Sequence, residues 1–189
     1  MMANLDRDGP WILYQYGDDS QKHRYLDQES KLAFTLQEFQ QNEDPNRVIR
    51  LVRDGEWSAR YPSVMGPDRS YFFMGPENNL GYIVFGNGNI HIPMGYMLRG
   101  GKKEGSVSRY WRGQNGNQYK WKATNYRMEC LDNGRTLALW EVSPPDKNYY
   151  ATLTIFPKAM PIITEVLTSL ILNQMALALT WHIPSHPGQ

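Results

Sequence analysis

Apolar and polar residues alternate through most of this chain and then, after Pro157, give way to a single helical stretch. At about 100° per residue over 160–182, Ile163, Val166, Leu167, Leu170, Ile171, Leu177, Ala178 and Trp181 fall on one side, with Glu165, Thr168, Ser169 and Asn173 opposite. Leu172, Met175, Ala176 and Leu179 then take over the side that began polar, so the second half is apolar nearly all round. A helix of that kind has to be enclosed. At about 1.5 Å per residue it is roughly 35 Å long, enough to cross a bilayer. Thr164, Glu165, Thr168, Ser169, Asn173 and Gln174 interrupt it, which predicts a core helix and no transmembrane span.

The alternating part reads as antiparallel strands separated by turn residues. Strands are predicted over 82–85 and 90–92 around Gly86-Asn87-Gly88-Asn89, and over 108–111 and 118–121 around Gln114-Asn115-Gly116-Asn117. Two more, 126–130 and 136–140, flank Asp132-Asn133-Gly134, and a further one, 150–156, leads through Pro157 and Pro161 into the helix. Earlier in the chain 11–16, 33–39, 48–52 and 71–74 read as strands, although 25–41 has some helical character. Ten or more short strands with one apolar helix are reconciled by closing the sheet and placing the helix inside it, which also removes exposed edges. The competing arrangement is a sandwich with the helix across one end. No repeat or linker divides the chain, so 1–183 is expected to be one domain followed by a flexible tail, 184–189.

A hairpin barrel ending in a hydrophobic helix resembles the tubby C-terminal-like superfamily, which includes the tubby domain, phospholipid scramblases and the plant LURP-one-related proteins. The likeness rests on Tyr110-Trp111-Arg112-Gly113, Tyr119-Lys120-Trp121-Lys122, Glu129-Cys130 and the Leu-rich terminal helix. It covers about 71–181 and is nearest to an uncharacterised fungal family of that fold. The resemblance implies a mainly β structure, a closed antiparallel barrel of about 12 strands around a central C-terminal helix. For some relatives it also implies binding of phosphoinositide headgroups by basic side chains. It supplies no catalytic residues.

Composition narrows the function further. The formal net charge of +1 over 189 residues argues against a nucleic-acid binder. Cys130 is the only cysteine and Met1 to Pro10 has no apolar leader-like core, which favours an intracellular, cytoplasmic setting, peripheral at membranes if lipid is bound. Cys130, beside Met128 and Leu131, reads as a buried strand thiol in preference to a nucleophile. His182 and His186 have helical metal-pair spacing, but Pro184 lies between them, and His91 is expected to face outward between Ile90 and Ile92. Gly95 to Lys103 approaches a phosphate loop and fails at Gly101, where the motif needs Lys. Asp6, Asp8, Asp18 and Asp19 lack calcium-loop spacing, and the six tryptophans read as core rather than a stacking surface. No cofactor or metal motif is found, and the protein is expected not to be an enzyme.

One constellation remains. Arg99, Lys102, Lys103, Arg109, Arg112, Lys120, Lys122 and Arg127 face the single acid Glu104 across one short stretch. In strands, Lys120 and Lys122 share a face while Tyr119 and Trp121 point the other way. The bland reading is a set of cations that solubilise the barrel and guard its edges. The functional reading is a non-enzymatic binding module for an anionic phosphorylated ligand, such as a phosphoinositide headgroup at a membrane surface, with Arg99, Lys102, Lys103, Arg109, Arg112, Lys120 and Lys122 as ligand-binding residues. The alternative is an interaction or structural domain that meets an acidic protein partner. The oligomeric state is not legible.

Overall fold

A computed structural model of the chain describes residues 9–39 and 46–183. The tail 184–189 with His186, and the acidic Asp6 and Asp8, lie outside the described residues. Among the described residues, thirteen strands form one antiparallel sheet made of two meanders. The first holds β1 (Trp11–Asp19), β2 (Lys22–Asp27), β3 (Leu32–Glu38), β4 (Val48–Arg53), β5 (Arg69–Phe73), β6 (Tyr82–Phe85) and β7 (Ile92–Pro93). The second holds β8 (Arg99–Gly100), β9 (Ser108–Arg112), β10 (Gln118–Ala123), β11 (Arg127–Asp132), β12 (Arg135–Val142) and β13 (Ala151–Ile155). They join in the middle, where β1 pairs with β13 and sets Leu13 opposite Leu153.

Alternation does most of the local work. Along β1, Trp11, Leu13 and Gln15 are buried while Ile12, Tyr14 and Tyr16 are only partly so. β2 escapes the sequence pattern because its inward set, His23, Tyr25 and Asp27, is polar or amphipathic. The sequence also misses α1 (Gly55–Ala59), a short helix whose Asp54 cap accepts from the Trp57 N–H at 2.9 Å and seats Trp57 in the core.

The sheet edges are β7 and β8, and they are consecutive in the chain. Six peptide units from Pro93 to Arg99 reach at most roughly 20 Å, so the sheet must curl until its edges lie near one another. The closed barrel of about 12 strands expected from the sequence is corrected here: among the described residues no ladder joins β7 to β8, and the sheet has 13 strands with an open seam. Both edge strands are two residues long, Pro93 has no N–H to give, and the chain between them folds into a 3-10 turn, Met94–Met97. Met94, Met97 and Leu98 are buried there. Side chains bridge the seam instead: Asn87 and Gln114 exchange reciprocal amide bonds of 3.0 and 2.9 Å between the β6–β7 and β9–β10 loops.

The helix, α2 (Ile163–Ala178), is shorter than the predicted 160–182, because Pro157–Ile162 forms a 3-10 turn and the helix ends at Leu179. Every residue from Ile163 to Gln174 is buried, and so are Met175 and Ala176. The segment Pro157–Ala178 is long and apolar enough to cross a membrane, yet 83% of its most apolar window is buried inside the protein. Leu177 and Ala178, assigned by the sequence to the buried side, are exposed because the helix leaves the sheet in its last turn.

Enclosure on all sides obliges the polar helix residues to bond to the strands around them. Arg53 at the end of β4 donates to Thr164 Oγ1 at 3.1 Å, and Ser70 on β5 meets Thr168 Oγ1 at 2.8 Å. Trp121 on β10 donates to Ser169 Oγ at 2.8 Å, and the Gln114 N–H reaches Glu165 at 2.6 Å. Gln174 donates to Gln15 Oε1 of β1 at 3.4 Å. These partners belong to strands and loops on opposite sides of the sheet, so the sheet surrounds the helix.

Leu170→Asp places an unpaired carboxylate in this core, and the expected cost is several kcal/mol, comparable with the roughly 5–15 kcal/mol margin of a whole domain. Urea unfolding of the variant tests this; an unchanged midpoint would refute the central placement.

A second prediction concerns acid. His23 is buried, with Nδ1 2.7 Å from the Asp19 carbonyl and Nε2 3.2 Å from the Tyr25 hydroxyl. Burial pulls its pKa below the ordinary 6.5, against the opposing pull of Asp19. The unfolded chain therefore takes up the proton first as pH falls. Its stabilising share is complete above about pH 6.5 and declines below that value towards the lower folded pKa. His23→Gln should flatten stability against pH below about 6.5 relative to the wild type. Parallel curves would show that His23 does not titrate differently on folding.

Candidate functional site

The basic residues sit on the edge formed by β8, β9 and β10. Register puts Arg99 opposite Tyr110 and Tyr110 opposite Lys120, while Ser108 lies opposite Lys122 and Arg112 opposite Gln118. All of these share the outer face, since Trp111, Tyr119 and Trp121 of the same strands are buried within. After β8 the loop from Gly101 to Val107 folds back over this face. Gly101 is fixed here by close approach, because a Cβ would lie 2.6 Å from Ser106 Oγ. Gly105 supplies the positive φ of 72° that the loop tip requires.

The result is a cleft of about 490 Å³ lined by Arg99, Lys102, Lys103, Ser106, Ser108 and Tyr110, with Gly100, Gly101 and Gln118 completing it. Lys102 and Lys103 are exposed. Arg99 is half-buried and its guanidinium stacks on Tyr96 at 4.6 Å. Two of its nitrogens, Nε and Nη2, are buried and find no hydrogen-bond partner among the described residues. A guanidinium carries five donors in a rigid fork, so an unmatched pair of buried nitrogens in a cationic cleft is a ready receiver for anionic oxygens.

Of the residues predicted from sequence, Arg99, Lys102 and Lys103 meet in the cleft, and Lys120, Lys122 and Arg112 continue the same face. Arg109 does not join them. It lies opposite Trp121 on the inner row, and its Nη1 donates to the carbonyls of Ser106 and Ser108 at 3.3 and 3.1 Å. That ties the loop down, which makes Arg109 a positioning residue. Arg127 is engaged by Glu129 and Glu141. The sequence reading missed Ser106, Ser108 and Tyr110 as cleft residues; the alternating hydroxyls between the lysines and Arg109 were the available signal.

Other candidates fare differently. A larger cleft of about 620 Å³ over β5 and β6 is lined by two charged residues, Asp68 and Arg69, which bind each other at 3.0 Å. No group of three metal-ligating side chains occurs among the described residues. His91 is exposed and stacks on Tyr82 at 4.4 Å, and both His91 and Ile90 of the predicted strand 90–92 lie outside the observed β7.

No family model, no curated protein and no solved structure matches this chain.

Cys130 is fully buried on β11, and burial drives its thiol well above the usual range, away from the thiolate a nucleophile needs. Native protein is expected to react with a thiol reagent only as fast as it unfolds. Modification at the rate seen in denaturant would place the sulfur at the surface.

Proposed function

We propose that the chain is a non-enzymatic binding module for anionic phosphorylated ligands, with phosphoinositide headgroups as the favoured class. The observation that carries this reading is the unmatched Arg99 fork in a cleft shared with Lys102 and Lys103. Lys120, Lys122 and Arg112 extend positive charge over the same outer face, where a membrane surface would lie. Ser106 and Ser108 add hydroxyl donors to the cleft wall.

The same reading takes the molecule as a tubby-like barrel. Support comes from the sheet curled round a buried terminal helix, with side chains of Asn87 and Gln114 in place of a closing ladder. An intracellular protein, peripheral at membranes, is consistent with these features.

Liposome flotation at low salt is the test. Vesicles carrying phosphoinositides should bind the wild type and release it as salt rises. Each basic residue near an anionic surface contributes about 1 kcal/mol, so replacing Lys102, Lys103, Lys120 and Lys122 by Gln should weaken binding by roughly three orders of magnitude. Arg99→Gln should erase the preference for phosphoinositide over phosphatidylserine with little change in melting temperature, because among the described residues its Nε and Nη2 make no hydrogen bond and only the stacking on Tyr96 is lost. A wild type that ignores both vesicle types would end the lipid reading.

A further inference from the structure

A further cleft opens where α2 leaves the sheet. It holds about 340 Å³ between the β1–β2 hairpin, the loop before β11 and the last turn of the helix. Its floor is a buried amide network whose atom assignment is forced. The Trp140 indole can only donate, and it lies 2.8 Å from one terminal atom of Gln15, so that atom is the carbonyl oxygen. The other terminal atom of Gln15 faces the Gly17 carbonyl at 2.9 Å and is therefore the amide nitrogen. Gln174 approaches Gln15 Oε1 at 3.4 Å and must present its own nitrogen. That leaves Gln174 Oε1 as the free end.

This oxygen is an acceptor only, it is buried, and it has no partner among the described residues. Gln174 itself is 7% exposed and lines the cleft. Three further features of the cleft favour positive charge. Among the described residues, Asp18 is the single charged one lining it. The rings of Trp140, Tyr150 and Tyr126 form its walls. Leu177 and Ala178 mark the C-terminal end of a 16-residue helix, the negative pole of its dipole. Burial above all, and then Asp18 and Tyr126, raise the Tyr150 phenol above its ordinary pKa.

We infer that this mouth is a binding site for a small organic cation, a primary ammonium on a short alkyl stem. Its head bonds to Gln174 Oε1 and Asp18, and its stem lies against the aromatic wall. The inference is independent of the anion site, which lies on the outer face of β8 to β10.

The test is an NMR titration of the full chain that follows the Trp140 indole N–H, since it shares Gln15 Oε1 with Gln174. The additives are butylammonium, its neutral counterpart butan-1-ol, and butyrate. Butylammonium should move the indole resonance saturably, and the other two should not. Asp18→Asn, at an exposed position, should weaken butylammonium at least tenfold, as loss of a charged hydrogen-bond partner requires. Gln174→Met, which keeps the volume and deletes the acceptor, should do the same. A lysine capped at both termini separates sources: if it binds tighter than butylammonium, the cation belongs to a peptide, and otherwise it is a free amine. No saturable shift with butylammonium would mean that water alone satisfies Gln174, and an equal response to butan-1-ol would mean that charge plays no part in the pocket. Either result overturns the proposal.

Discussion

Everything in this structure depends on a helix that has no face left for solvent. A helix enclosed by a sheet from Ile163 to Ala176 gains apolar burial on every side, but it also strands each polar side chain that it carries there. Thr164, Glu165, Thr168, Ser169 and Gln174 each meet a group from the surrounding wall, and Asn173 bonds back to the Ser169 carbonyl at 2.9 Å. Each such bond holds at one rotation and one height of the helix. Leucines alone would tolerate sliding, since hydrophobic burial is non-directional. The hydroxyls and amides therefore set the register between helix and sheet, while Leu167, Leu170 and Ile171 supply the driving force.

The strand order follows from the same enclosure. A sheet that wraps a helix has to bring its first and last strands together, and here β1 and β13 meet in the middle while the chain crosses the seam midway, between β7 and β8. Pairings between the chain's ends are slow to close, because loop entropy is lost before the contacts form. The seam is then held by Gln114, which gives its side chain to Asn87 and its backbone N–H to Glu165. Burial raises the Glu165 carboxyl, and that backbone bond works against the rise. One residue thus ties the two meanders to each other and to the helix.

Much of this was legible in the chain. The polar interruptions at Thr164, Thr168 and Ser169, which told against a membrane span, are the atoms that bond to Arg53, Ser70 and Trp121. What escaped did so for identifiable reasons. β2 turns His23, Tyr25 and Asp27 inward, so a search for inward apolar residues passes over it. Closure failed at Pro93 and at two strands of two residues, details too short for periodicity to register. For the site, clustering of cations could be read, but the direction of each could not: the alternation that groups Lys120 with Lys122 sends Arg109 inward to the loop carbonyls. The mouth cleft left no signal, because Gln15, Asp18, Trp140 and Gln174 converge from distant segments.

Unmatched buried groups deserve different readings according to the space beside them. The indole nitrogens of Trp11 and Trp57 also lack partners, but the void they border is about 10 Å³, the room of one water molecule. Arg99 and Gln174 instead face clefts of about 490 and 340 Å³, within the size range of ligand sites. Along α2 the Gln174 amide oxygen is the one buried polar side-chain atom left without a partner among the described residues, and it lies beside a cleft, as the Arg99 fork does. The two openings are also of opposite demand, one offering donors and positive charge, the other an acceptor and a carboxylate. A ligand suited to one cleft would be repelled by the other, so the two proposed sites would not compete for it.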